Sequence, residues 1–190
     1  MLGALLRFFT PLPTLHCPCC QSLVRASEVD ALELRVGGLD REFGWTNYYA
    51  VRGKLQWACG ACLSSGRAVY ANPRNQRFLD HPPHLAFFDI TKTCSDCQET
   101  YVFKQSEQTF WYEERKFWVQ ARPVACAPCR KLRRRRIAAL QAYEAKLRVL
   151  DKSNPAQWLE LAELLDVAGR TAKATEFRNR GRKLLPPALR

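Results

Sequence analysis

The chain has 190 residues, nine of them cysteine, and a net charge of +12. Small cysteine-rich chains bury too little apolar surface to hold themselves together and use disulfides or metal instead. A single large apolar-cored domain is therefore not expected. Neither is a membrane anchor or a secretory leader. The apolar opening Met1–Phe9 carries Arg7, lacks a small-residue cleavage site, and is far shorter than the roughly 18 residues that cross a bilayer.

Eight of the nine cysteines fall into four Cys-x-x-Cys pairs: Cys17/Cys20, Cys59/Cys62, Cys94/Cys97 and Cys126/Cys129. Two thiols at that spacing grip one tetrahedral ion from a single tight turn. The four pairs make two four-cysteine sites for two Zn2+ ions per chain, with Cys19 left over. A disulfide framework would not need this regularity. Thiolates on metal fit a reducing cytoplasm, the expected compartment.

Taken in order, residues 1–80 read as a first, zinc-ribbon-like module with an apolar N-terminal arm. Thr10-Pro11-Leu12-Pro13 excludes a helix and favours an extended path. Cys17-Pro-Cys-Cys20 is one knuckle and Cys59-Gly-Ala-Cys62 the other. Ala31–Val36 alternates apolar and polar, which predicts a strand ended by Gly37-Gly38. Trp45, Tyr48 and Tyr49 suit half-buried strands. Lys54–Trp57 is expected as the strand entering the second knuckle, and Arg67–Tyr70 as the strand leaving it.

Residues 81–90, with His81-Pro-Pro-His84, read as a linker. Both cysteine sites are complete without His81 or His84, so neither is expected on metal.

Residues 91–136 read as a treble-clef module. Aromatic runs at Tyr101–Phe103, Thr109–Tyr112 and Phe117–Val119, separated by polar loops, predict a hairpin or small meander. Pro128 sits inside the last pair, where a proline costs a helix start no hydrogen bond. Cys126 is expected to end a strand and Cys129 to start a helix, whose free amides and positive dipole end favour thiolates.

Asp89-Ile-x-x-x-Cys94-x-x-Cys97, the Phe103 strand, Glu107-Gln108-x-Phe110-Trp111 and Cys126-x-x-Cys129-Arg130 resemble the bacterial and plant "probable zinc-ribbon domain" family of treble clefs. The likeness covers about residues 88–136, and the loop between the pairs is longer here by an insert around Glu113–Arg122. The resemblance implies zinc at Cys94, Cys97, Cys126 and Cys129. It carries over no activity.

Residues 127–190 read as a basic helix followed by a helical hairpin. Over 127–150, Leu132, Ile137, Leu140, Tyr143, Leu147 and Leu150 share one face, with Arg136 beside it. Asn154-Pro155 is an expected helix start, and Gly169 an expected stop. Trp158-x-x-Leu161-Ala162-x-x-Leu165, Gly169, Ala174 and Pro186 resemble one tetratricopeptide repeat. Three matches are imperfect: Ala162, Leu165 and an aromatic one residue early at Phe177. One repeat cannot bury its face alone, so the stripe on the preceding helix is the expected lid. The fold class is thus small α+β: two four-cysteine zinc modules, ribbon then treble clef, followed by a C-terminal helical unit.

The charge is uneven. Residues 1–125 carry 14 Lys and Arg against 12 Asp and Glu; residues 126–190 carry 16 against 6. Such a basic half points to an acidic partner, with nucleic acid the usual one. Arg130, Lys131, Arg133, Arg134, Arg135 and Arg136 are the candidate contacts. RNA or a ribosome is favoured over DNA, because no groove-reading motif is present. The alternative is a protein-interaction adaptor that meets an acidic protein surface through the zinc modules and the hairpin. No membrane partner is expected. Catalysis is not expected either: four sulfurs close each site, and the spare thiol Cys19 lies inside a knuckle.

Overall fold

The computed structural model describes residues 14–36 and 49–186. The arm expected before residue 14, Gly37-Gly38, Trp45 and Tyr48 lie outside the described residues. The chain divides into two compact units: Met1–Cys94 with Gln98–Val124, and Ser95–Cys97 with Ala125–Arg190.

Among the described residues, the first unit has three antiparallel strand pairs. β1 (Thr14–His16) pairs with β2 (Leu23–Arg25) around the first knuckle. α1 follows at Ser27–Arg35, where alternation predicted a strand. A half-buried strand would bury Leu32 and Leu34 together; instead Val29 and Leu32 are buried at helical spacing and Leu34 is 62% exposed. Glu28 and Asp30 lie in the first turn, the end of a helix that favours negative charge. Lys54–Trp57 is not a strand either, and a short helix, α2 (Gly60–Ser64), begins at the second pair. β3 (Ala68–Tyr70) leaves it as expected and pairs with β4 (Ala86–Phe88).

The stretch read as a linker therefore supplies a core strand. Every residue from Pro82 to Phe88 is buried. His84 is held by a reciprocal pair with Gln76: the His84 N–H donates to Gln76 Oε1 and Gln76 Nε2 donates to the His84 carbonyl, each at 2.8 Å. Its ring Nε2 lies 3.2 Å from the Val119 carbonyl. Burial, and then the charge of Arg122, lower its pKa to about 3. His84 is a neutral core histidine and is not among the grouped metal ligands.

β5 (Ile90–Thr93) and β6 (Thr100–Phe103) flank the third Cys-x-x-Cys pair. The predicted meander after β6 is instead a helix, α3 (Gln105–Thr109), widening into a π-turn at Phe110–Glu114. Asp89 starts it, accepting the Gln105 N–H at 2.9 Å. Helical spacing places Gln108 and Tyr112 on one buried face, 0% and 1% exposed. Gln108 Nε2 donates to the carbonyls of Phe88 at 2.6 Å and Phe103 at 2.8 Å, and its Oε1 accepts from Gln56 Nε2 at 2.7 Å. A hydrogen-bonded amide in a buried core fixes register as well as adding stability.

Among the described residues, the second unit holds three helices: α4 (Ala127–Arg148), α5 (Pro155–Val167) and α6 (Thr171–Leu184). Asn154 caps α5, its side chain accepting the Ala156 N–H at 3.0 Å, and Pro155 takes the first position. Gly169, at φ +77°, ends α5 in a left-handed conformation that other residues resist. The core comprises Tyr143, Trp158, Leu161, Ala162, Leu165, Ala174 and Phe177. α5 and α6 meet closely at Gly181, where an added Cβ would lie 3.1 Å from Leu159, from Trp158 and from the Pro155 carbonyl. The expected apolar lid on α4 is shorter than its stripe: Tyr143 is buried, but Leu132, Ile137 and Leu147 are 45%, 56% and 39% exposed. Among the described residues, no helix is long and apolar enough to cross a membrane.

Candidate metal centres and the basic helix

The structure gathers the eight paired cysteines into two tetrads, Cys17/Cys20/Cys59/Cys62 and Cys94/Cys97/Cys126/Cys129. Within each, all four sulfurs lie within 4.8 Å of one another. None of the nine cysteines is joined in a disulfide, and Cys19 stands outside the first tetrad, its Sγ 3.9 Å from the Arg67 carbonyl.

Both tetrads are made the same way. In the first, the Cys17 N–H donates to the Ser22 carbonyl at 2.9 Å and the Gln21 N–H to the Cys17 carbonyl at 2.8 Å. In the second, the Cys94 N–H donates to the Glu99 carbonyl at 2.9 Å and the Gln98 N–H to the Cys94 carbonyl at 3.0 Å. Gln21 and Gln98 occupy the left-handed region at φ 62° and 61°. The other pair opens a helix in both cases, with Cys59 and Cys126 at the N-cap and ψ 162° at each. The first centre is therefore a hairpin knuckle plus a helix start, like the second. A ribbon would turn its second pair between two strands. The sequence carried a signal for this likeness in Thr14-x-x-Cys17-x-x-Cys20-Gln21 and Thr91-x-x-Cys94-x-x-Cys97-Gln98.

The donor set fits zinc. Four sulfurs about 2.3 Å from a tetrahedral ion lie about 3.8 Å apart. Cys20 and Cys59 sulfurs are 3.7 Å apart, and those of Cys97 and Cys126 are 3.9 Å apart. The Cys59 N–H donates to Cys17 Sγ at 3.2 Å, the kind of amide-to-sulfur bond that supports a thiolate. Without metal, burial raises the pKa of Cys17 and of Cys62, whereas hydrogen bonding from the Ser22 side chain lowers Cys20 to about 6. Buried thiols held this close need a cation before all four can ionise.

The surroundings differ. Cys17, Cys59 and Cys62 belong to the apolar core of the first unit, and Glu28 accepts the Gly60 N–H at 3.1 Å. In the second centre Cys97 is exposed. Arg133 grips Asp96, inside the Cys94–Cys97 turn, through Nε at 2.6 Å and through a terminal nitrogen. That bond holds the Asp96 carboxyl below its usual pKa. Arg130 Nη1 donates to the Ala125 carbonyl at 2.9 Å.

Of the six basic candidates, Arg130 and Arg133 thus brace the start of α4. Arg136 lies over the α5–α6 turn, its guanidinium 3.6–3.8 Å from where a Cβ on Gly169 would stand. Lys131, Arg134 and Arg135 are exposed, as is every residue from Lys131 to Ala138.

Residues 88–137 match the family model described as the probable treble clef domain. No curated protein and no solved structure gives a match. The matched span contains the second tetrad and the basic run, and the tetrads support two zinc sites.

Proposed function

We propose that this is a zinc-organised nucleic-acid-binding protein, with RNA the favoured partner, and that α4 carries the contact. The supporting observation is the segment Lys131–Ala138, which is exposed all round and bears five cations in its first six residues. A helix of so few turns is marginal in water. Like charges at i and i+4, here Lys131 and Arg135 or Arg130 and Arg134, oppose it further. The segment stands because Cys126 and Cys129 fix its start and Ala139 and Tyr143 anchor its end. A surface maintained against its own repulsion is suited to phosphate, which relieves that repulsion. Four sulfurs leave zinc no position for water, so the metal's role here is structural rather than catalytic.

Binding to a fluorescent RNA should weaken steeply as salt rises. Arg134→Ala with Arg135→Ala should flatten the slope of log affinity against log salt by about one per lost phosphate contact. Absence of binding at low salt would refute the reading. A second reading, a protein adaptor, draws support from Leu132 and Ile137, apolar side chains exposed within the same basic segment. A partner captured equally well after nuclease treatment, and lost on Leu132→Ser with Ile137→Ser, would favour it.

A further inference from the structure

The segment Phe110–Trp118 of the first unit has no part in the metal centres, yet it presents three large rings to solvent. Phe110 is 46% exposed, Phe117 42% and Trp118 38%. The core does not require them outside; of this segment it takes Tyr112, and Trp111 packs at the margin between Phe103 and Phe117. Two unusual backbone features hold the segment. One is the π-turn at Phe110–Glu114, a form frequent at functional sites. The other is Lys116 at φ 54°, left-handed without being glycine.

Each end of the segment pairs a ring with an arginine. Arg77 stacks 4.0 Å from the Trp118 ring centre, and Arg115 lies 6.0 Å from that of Phe110. Lys116, between them, is tied by Nζ to the Asn75 carbonyl at 2.6 Å. Of the two acids in the segment, Glu113 is turned onto the Asn72 N–H at 2.6 Å and burial raises its pKa, while Glu114 is exposed. Rings flanked by guanidinium groups offer π-faces for bases and charge for the phosphates between them.

We infer that Phe110, Phe117 and Trp118, with Arg77 and Arg115, form a stacking surface for unpaired bases, so that single-stranded RNA is the nucleic acid this protein takes. The inference rests on the proposed function and deepens it: α4 supplies backbone attraction of no base or strand preference, and this surface supplies preference for open strands.

The test uses full-length zinc-loaded protein and two labelled probes, an unstructured oligouridine and an RNA duplex of equal charge. Phe110→Ser with Trp118→Leu should weaken oligouridine binding roughly 10-fold or more, leave duplex binding unchanged, and keep the salt slope. Trp118→Tyr, which keeps a ring, should retain most of the affinity, and two bound zinc ions with cooperative unfolding establish that each variant is folded. If the folded Phe110/Trp118 variant binds oligouridine as wild type does while Arg134→Ala with Arg135→Ala still weakens it, the stacking surface is refuted and the basic helix stands. If wild type binds neither probe, both readings fall. If both probes weaken equally on the aromatic substitutions in a folded variant, the rings do not distinguish open from paired strands, and the inference fails.

Discussion

The two cysteine tetrads share a backbone design and differ in what they hold up. Each joins a hairpin knuckle, closed by a left-handed glutamine, to a pair at a helix start. In the first centre that helix is five residues long and the cysteines are packed into the core of the unit. In the second the helix runs 22 residues and one ligand, Cys97, is exposed. The same metal clip thus serves once as the middle of a small core and once as the footing of a long basic helix. The difference lies in the residues after the last ligand. Leu63 follows Cys62 and joins the core, whereas Arg130 and Lys131 follow Cys129 and turn the helix toward water.

The largest break in this comparison is removal of a ligand. Cys62→Ser should cost one zinc and unfold the first unit, because structural zinc contributes on the order of 10 kcal/mol to small modules. Cys126→Ser should also cost one zinc, but the core around Tyr143, Trp158 and Phe177 should keep its helices while α4 frays at its start. Metal analysis with circular dichroism separates the outcomes; equal loss of helix in both variants would erase the contrast. Under a chelator, the centre with exposed Cys97 should release its zinc first, seen as two phases with a zinc-sensitive dye.

A smaller effect concerns the first unit alone. His84 has its pKa lowered from 6.5 to about 3, so the unfolded chain takes up a proton that the folded chain refuses. The stability from keeping it neutral is fully present above about pH 6.5 and is lost as pH falls toward 3. Denaturant unfolding should lose about 2 kcal/mol by pH 5 from this group, and His84→Gln should reduce that slope. In the second unit, Gly169→Ala forces a Cβ into the left-handed region and should cost about 1 kcal/mol, read as a lower melting midpoint of the helical core. Smallest of all is Arg133→Ala. Its partner Asp96 is solvent-exposed, so stability should barely move, while the Asp96 carboxyl should titrate at a higher pH by NMR.

Much of this was legible in the residues. Ligand spacing fixed all eight sulfurs, and Asn154-Pro155 and Gly169 marked helix ends through local chemistry that needs no distant partner. Elements whose identity depends on remote contacts were not legible. Ala31–Val36 alternates like a strand, but the buried face is set by Val29 and Leu32 against the cysteine core. Thr109–Tyr112 reads as an aromatic strand, yet it lies in the helix and π-turn whose buried Gln108 is anchored by Gln56, 52 positions away. His84 looks like part of a linker until Gln76 and Val119 enclose it. The apolar stripe on α4 overstated burial, because a helical face shows what could be covered and not how far its neighbours reach.

Both units depend on each tetrad holding one zinc ion. Native mass spectrometry of protein purified in reducing buffer measures this directly. One dominant species carrying two zinc ions is expected, with a further loss of proton mass as the cysteines ionise onto metal. A chain carrying one zinc or none, or a mass reduced by disulfide formation among the eight paired cysteines, would contradict it.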